Sequence, residues 1–380
     1  MASAFPTQLG STAFAFRGYN TTNLGRSAEL LAQPQYRPIV EHWLGDASDI
    51  CRQVTGRPID LAARVRRGEE TSLASYDEAV ALVVAMSLAQ LELLETFHAA
   101  PYAGARMAFG YSLGELTAIS AGGVFRMRDA LRVPLAMAED CVALARDVTM
   151  GVLFSSGAVL DLGEVTRLCL QLNAEGNGVI GVSSYLAPNA CLLLGQGSTI
   201  DRFVARMPSA FPTRVHLRKN KHRWPPMHTP LVWERNISNR CGVLMHTLSG
   251  GMRPPHPPVF SLVTGKMDYD DTNARRILYR WIDEPQRLWE AVYETLAQGI
   301  KTVVHVGPDP NLIPATYQRL SENVQARLQG YTPRPLGLRA VSAAAARPWL
   351  NAVLPGRVAL LRAPLVEHVI LENWLLDNQP

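Results

Sequence analysis

"FGYSLGELTAISAGG", residues 109–123, sets one serine, Ser112, between a glycine two residues ahead and another two residues behind. The stretch "ARMAFGYS" (105–112) reads as a strand. The following "LGELTAISA" reads as a helix that two glycines then stop. G-x-S-x-G between a strand and a helix describes a bend so sharp that a side chain at Gly110 or Gly114 would collide with nearby backbone. Such a bend raises the serine hydroxyl at a helix N-terminus, where the unpaired N–H of Leu113 can hold an oxyanion. A serine that merely caps a helix is the plainer reading of the same residue. The strand before it and the apolar helix after it favour a nucleophile.

The rest of the chain supports an α/β fold. "STAFAF" (11–16) reads as a first strand, and "SYDEAVALVVAMSLAQLELLETF" (75–97) as a long helix with Asp77 and Glu78 in its first turn. From about residue 147 the order becomes strand, helix, strand, strand, helix, strand, ending in "TRVHLRK" (213–219). That is the order of a small ferredoxin-like unit. The expected organisation is a large α/β-hydrolase-like subdomain with a parallel sheet (1–146 plus 216–330), an inserted ferredoxin-like subdomain (147–215) and a C-terminal extension (331–380). The extension ends in an amphipathic "LVEHVILENWLL".

Composition narrows the classes. Of the 380 residues 47% are hydrophobic and 18% charged, enough for a sizeable core, and the net charge of +4 is too small to indicate nucleic acid. The odd number of widely spaced cysteines, without C-x-x-C, fits reduced thiols in a cytoplasmic protein and no metal site. The N-terminus lacks a positive residue before its apolar part, so no signal peptide is expected. The apolar run "AVALVVAMSLA" (79–89) is too short to span a bilayer and reads as a buried helix, so no membrane partner is expected. "GNGVIG" (176–181) fits G-x-G-x-x-G but leads into a strand, which removes the phosphate-cradle geometry.

A serine hydroxyl needs a base. Of the nine histidines, His228 stands out in "WPPMHTPLV", because prolines at 225, 226 and 230 stiffen the backbone on both sides.

With these residues in view, the chain resembles malonyl-CoA:acyl carrier protein transacylases and the acyltransferase domains of polyketide synthases. "GYSLGE" is similar to their G-H-S-L-G-E, and "MHTPLV" to their histidine signature. "DEPQRLWEAVYETLAQGIKTVVHVGPDPNLI" (283–313) is similar to their late helix, strand and Gly-Pro turn. "FRGYN" (16–20) stands where that family has Phe-Pro-Gly-Gln-Gly. The resemblance spans roughly residues 10–315 and implies ping-pong transfer of an acyl group from acyl-CoA to the phosphopantetheine thiol of an acyl carrier protein, in fatty acid or polyketide biosynthesis. No bound cofactor is implied. Ser112 is the expected nucleophile and His228 its base, with Leu113 and Tyr19 N–H groups as the oxyanion hole. A carbonyl of the late loop, at Asp309 or Asn311, is expected to orient the histidine.

Three departures bear on the substrate. Tyr111 replaces the family's histidine before the serine, and Tyr19 its glutamine. Met137 falls where malonyl-specific members carry the arginine that forks onto the substrate carboxylate. Either Arg132 or Arg126 substitutes for it, or the acyl group is uncharged, because burying a lone carboxylate costs several kcal/mol. The basic run Arg218, Lys219, Lys221 and Arg223 precedes the histidine and reads either as a solvated loop or as a docking rim for carrier or CoA. Two rivals of the same fold remain: an editing hydrolase acting on acyl carrier proteins, and an inactive carrier-docking module. A lipase-like hydrolase is disfavoured, since its histidine lies near the C-terminus.

Overall fold

The computed structural model describes residue 5 and residues 8–156, 158–329 and 348–380. Two sheets organise it. The first has five parallel strands in the order β7-β2-β1-β8-β9: β1 Thr12–Phe16, β2 Met107–Gly110, β7 Val259–Phe260, β8 Thr302–Val306 and β9 Glu367–Ile370. Every residue of β1, β2 and β8 is buried, as expected for central parallel strands covered by helices on both faces.

The second sheet is antiparallel, in the order β4-β5-β3-β6: β3 Val148–Ser155, β4 Ile180–Ala187, β5 Ala190–Gln196 and β6 Val215–Lys219. Helices Leu162–Ala174 and Thr199–Ala210 cover one face of it and bury their own apolar core with Leu153, Leu193 and Phe203. This is the ferredoxin-like order read from the sequence. Because β6 runs to Lys219, the unit reaches beyond residue 215.

Helix Tyr76–His98 is long and apolar enough to cross a membrane, yet 78% of its most apolar window is buried in the protein. It is the central core helix, packed by Leu82 and Met86. The C-terminal extension is less separate than its composition suggested. Residues 331–347 lie outside the described residues. Beyond them β9 adds an edge strand to the main sheet, and helix Leu371–Asp377 packs Leu375 and Trp374 into the large core.

Candidate active site

The bend after β2 has the expected geometry. Ser112 sits at φ +54° and ψ −118°, a strained conformation for a residue with a side chain. A Cβ on Gly110 would lie 2.0 Å from the Gly114 carbonyl carbon, and one on Gly114 would lie 2.2 Å from the Phe16 oxygen. Both glycines are therefore obligatory. One turn along, buried Glu115 accepts from the Leu262 N–H at 2.9 Å and the Tyr269 hydroxyl at 2.8 Å, tying the bend to the segment after β7. Burial raises the Glu115 carboxyl to about 7.

His228 comes to the serine from 116 residues away: Ser112 Oγ and His228 Nε2 are 2.7 Å apart. The imidazole is 3% exposed, its backbone has φ +64°, and its N–H donates to the Ile282 carbonyl at 2.8 Å. Nδ1 lies 2.6 Å from the Trp281 carbonyl oxygen. A carbonyl can only accept, so Nδ1 carries the proton and Nε2 presents its lone pair to the serine hydroxyl. Burial lowers the imidazole pKa to about 4, with the Trp281 carbonyl opposing part of that shift. The ring is thus neutral at pH 7, the form that takes a proton.

The orienting group is accordingly Trp281, and the expectation for Asp309 or Asn311 is corrected. Asp309 accepts a hydrogen bond from Thr22 Oγ1 at 2.9 Å, and Asn311 lines the outer pocket. Trp281 also donates its indole N–H to the Ser112 carbonyl at 2.9 Å. Gln286 is a second residue that sequence reasoning missed. Its Oε1 accepts the Ser112 N–H at 3.2 Å, while its backbone pairs with Ser183 and Tyr185 of β4. Both contacts arise from chain segments that meet only in three dimensions, and no local pattern marks them.

Ser112 and His228 open into a cavity of about 400 Å³ between the two sheets. Tyr19, Tyr111, Ser112 and His228 all line it. The Gly18–Tyr19 turn presses on the bend: a Cβ on Gly18 would lie 2.6 Å from the Tyr111 oxygen and 3.3 Å from Ser112 Cβ. Leu113 opens helix Leu113–Ala121, so no preceding turn accepts its N–H. The opposite wall comes from the small sheet and is apolar: Met150, Val152, Leu186, Leu192 and Leu194, with Met227 beside them.

Met137 is not on this wall. Helix Met127–Ala136 contains Pro134 and ends at Met137, whose side chain turns into the core at 2% exposure. Arg132 is half-buried on that helix and also away from the pocket lining, and Arg126 lines a different cleft. None of the three lines this cavity. The pocket does contain Arg17 and, at its rim, Arg319. All five N–H donors of Arg17 are taken, by the carbonyls of Gly18, Thr22, Pro308 and Asp309 and by Asn23 Oδ1. The basic run adjoins the mouth, where Asn220 and Trp224 line the pocket. There Lys219 pairs with Asp201, Arg223 donates to the Val148 carbonyl at 3.1 Å, and Arg218 and Lys221 are exposed.

A strained serine at a strand–helix bend, a buried histidine held by a backbone carbonyl, and a ferredoxin-like unit roofing the pocket define an α/β fold with a serine–histidine pair in the cavity between its two sheets. Comparison with known proteins points the same way, although no family model matches the chain. The polyketide synthase GfsA of Streptomyces halstedii is 24% identical over 306 residues, which is 79% of this chain and 4% of that protein. The malonyl CoA-acyl carrier protein transacylase of Salmonella typhimurium is 24% identical over 304 residues, 78% of this chain and 88% of that one. The chain thus spans a small fraction of the polyketide synthase it matches, and most of the transacylase. Among solved structures, FabD of Acinetobacter baumannii superposes with a TM-score of 0.66 at 20% identity, covering 82% of this chain and 91% of its own. PlMCAT in complex with AntF, a malonyl-transacylase with its type II acyl-carrier protein, gives 0.62 at 22% identity, covering 80% and 92%. The chain has the fold of these acyltransferases and resembles them in sequence.

Proposed function

We propose that this protein is an acyl-CoA:acyl carrier protein S-acyltransferase that uses Ser112 as nucleophile and acts in the cytoplasm. The observation that carries the reading is the 2.7 Å contact between Ser112 Oγ and the acceptor nitrogen of a neutral, buried His228. Ser112 Oγ attacks the thioester carbonyl carbon as His228 Nε2 takes its proton. The oxyanion is met by the N–H groups of Leu113 and Tyr19. The C–S bond then breaks, and His228 returns the proton to the leaving CoA sulfur. In the second half-reaction the phosphopantetheine thiol gives its proton to His228 and attacks the acyl-enzyme. Collapse of that intermediate restores the Ser112 hydroxyl. The relative bound to its carrier protein supports this choice of acceptor.

The acyl group in this reading is uncharged. The wall from the small sheet is apolar, and Arg17, one of the two arginines that line the pocket, has no donor left for a carboxylate. Intact-mass measurement after incubation with malonyl-, acetyl- and longer acyl-CoA tests both parts. Loading of Ser112 by acetyl or longer groups over malonyl is expected. Efficient malonyl loading overturns the uncharged substrate, and no covalent adduct with any donor overturns the transferase. Release of free acid without carrier protein identifies the editing hydrolase instead.

A further inference from the structure

Arg17 occupies the place of the proline in the Phe-Pro-Gly-Gln-Gly turn of the resembling family. It is 5% exposed, and burial lowers its pKa to about 10 against the opposing pull of Asp309, Glu372 and Glu70. Burying a guanidinium is costly unless every donor is satisfied, and here every donor is. Nε donates to the Gly18 carbonyl at 2.8 Å. Nη2 donates to the Thr22 carbonyl at 3.0 Å and to Asn23 Oδ1 at 2.9 Å. Nη1 donates to the carbonyls of Pro308 and Asp309. Three acceptors thus belong to the turn after β1 and two to the turn after β8.

The second turn is itself fixed. Gly307 has φ +104°, and a Cβ there would lie 2.8 Å from Arg17 Cγ. The Asp309 N–H donates to Glu372 at 2.8 Å, and the same carboxylate accepts the Arg26 N–H at 3.0 Å. Arg17 is therefore the fork between a clamped loop and the Gly18–Tyr19 peptide, which packs directly on the Ser112 bend. The planar guanidinium can span the two turns; a lysine ammonium, with three donors on one atom, cannot.

We infer that Arg17 is a positioning residue that sets the Gly18–Tyr19 peptide as an oxyanion donor by bolting it to the 307–309 turn. The inference rests on the acyl-transfer reading above. It goes beyond that reading by giving a structural cation, whose donors are all taken by the protein itself, control over the rate of acylation.

The test is single-turnover acyl-enzyme formation, followed by intact mass, in full-length Arg17→Lys and Arg17→Gln with an acyl-CoA that loads the wild type. The maximal acylation rate is expected to fall roughly ten- to a hundred-fold, with half-saturation within about twofold of wild type, because a misplaced oxyanion donor acts on the transition state alone. Millimolar methylguanidinium is expected to restore part of the rate in Arg17→Gly. If those variants do not fold, Asn23→Ala, which removes one tooth of the fork, is expected to lower the rate about threefold. An unchanged rate in any folded member of this set overturns the inference, as does a change confined to half-saturation. A wild type that forms no acyl-enzyme overturns the acyl-transfer reading, and this inference with it.

Discussion

The Trp281 carbonyl oxygen lies 2.6 Å from Nδ1 of His228, and the indole of the same tryptophan donates to the Ser112 carbonyl at 2.9 Å. One residue thus braces both partners of the pair, once through its backbone and once through its side chain. Trp281→Phe removes the indole N–H and keeps the carbonyl. The loss of one hydrogen bond of about 1 kcal/mol predicts acylation slowed about fivefold, with the pH profile unmoved. Rapid-quench mass spectrometry of the acyl-enzyme checks it, and a shifted acid limb would mean that His228 had lost its carbonyl as well.

The lowered pKa of His228 makes a second prediction. The base is active when neutral, so acylation should stay on its plateau as pH falls through 6.5 and decline tenfold per unit only below about 4. An acid limb near 6.5 would show that the imidazole is solvated in solution. Between pH 6.5 and 4 the unfolded chain takes up protons that the folded His228, His305 and His368 refuse. The stability linked to these three histidines is therefore full above about 6.5 and is lost towards acid, while the raised carboxyl of Glu115 acts in the opposite sense between about 4.5 and 7. A circular dichroism control at each pH separates inactivation from unfolding.

The glycines of the bend answer to stability as well as activity. Gly110→Ala places a methyl 2.0 Å from backbone, and Gly114→Ala places one 2.2 Å from the Phe16 carbonyl oxygen. Each should cost about 3 kcal/mol or more, because backbone rather than a pliable side chain must yield. Denaturant midpoints measure this. Near-native stability in either variant would disprove the tight bend.

The docking reading of the basic run at the mouth makes a fourth prediction. Lys219→Glu with Lys221→Glu should slow transfer to an acidic carrier about tenfold at low salt, with the deficit shrinking as salt rises, while acylation by small thioesters is unchanged. Lys221 is the cleaner probe, since Lys219 already pairs with Asp201. Equal loss in both half-reactions would return the loop to a solvated surface.

Much of this protein was legible in the chain because the decisive features are local. A glycine at positions 110 and 114, an apolar strand before Ser112 and an apolar helix after it specify the bend, since steric exclusion acts over a few residues. Prolines on both sides of His228 mark a fixed imidazole for the same reason. Met137 turns into the core and does not line the pocket, and the break between two helices at Met137, which no local pattern marks, sets that direction. Trp281 and Gln286 were invisible: one acts through a carbonyl that every residue possesses, and the other through an amide whose partner lies 174 residues away. Arg17 shows the same division. Its identity stands in the sequence, but the four carbonyls and one amide that use up its donors are assembled from two turns 291 residues apart. Short-range sterics wrote the Ser112 bend into the sequence. The hydrogen-bond partners of His228 and of the buried cation were decided by the packing of distant segments, because backbone acceptors carry no side-chain signature.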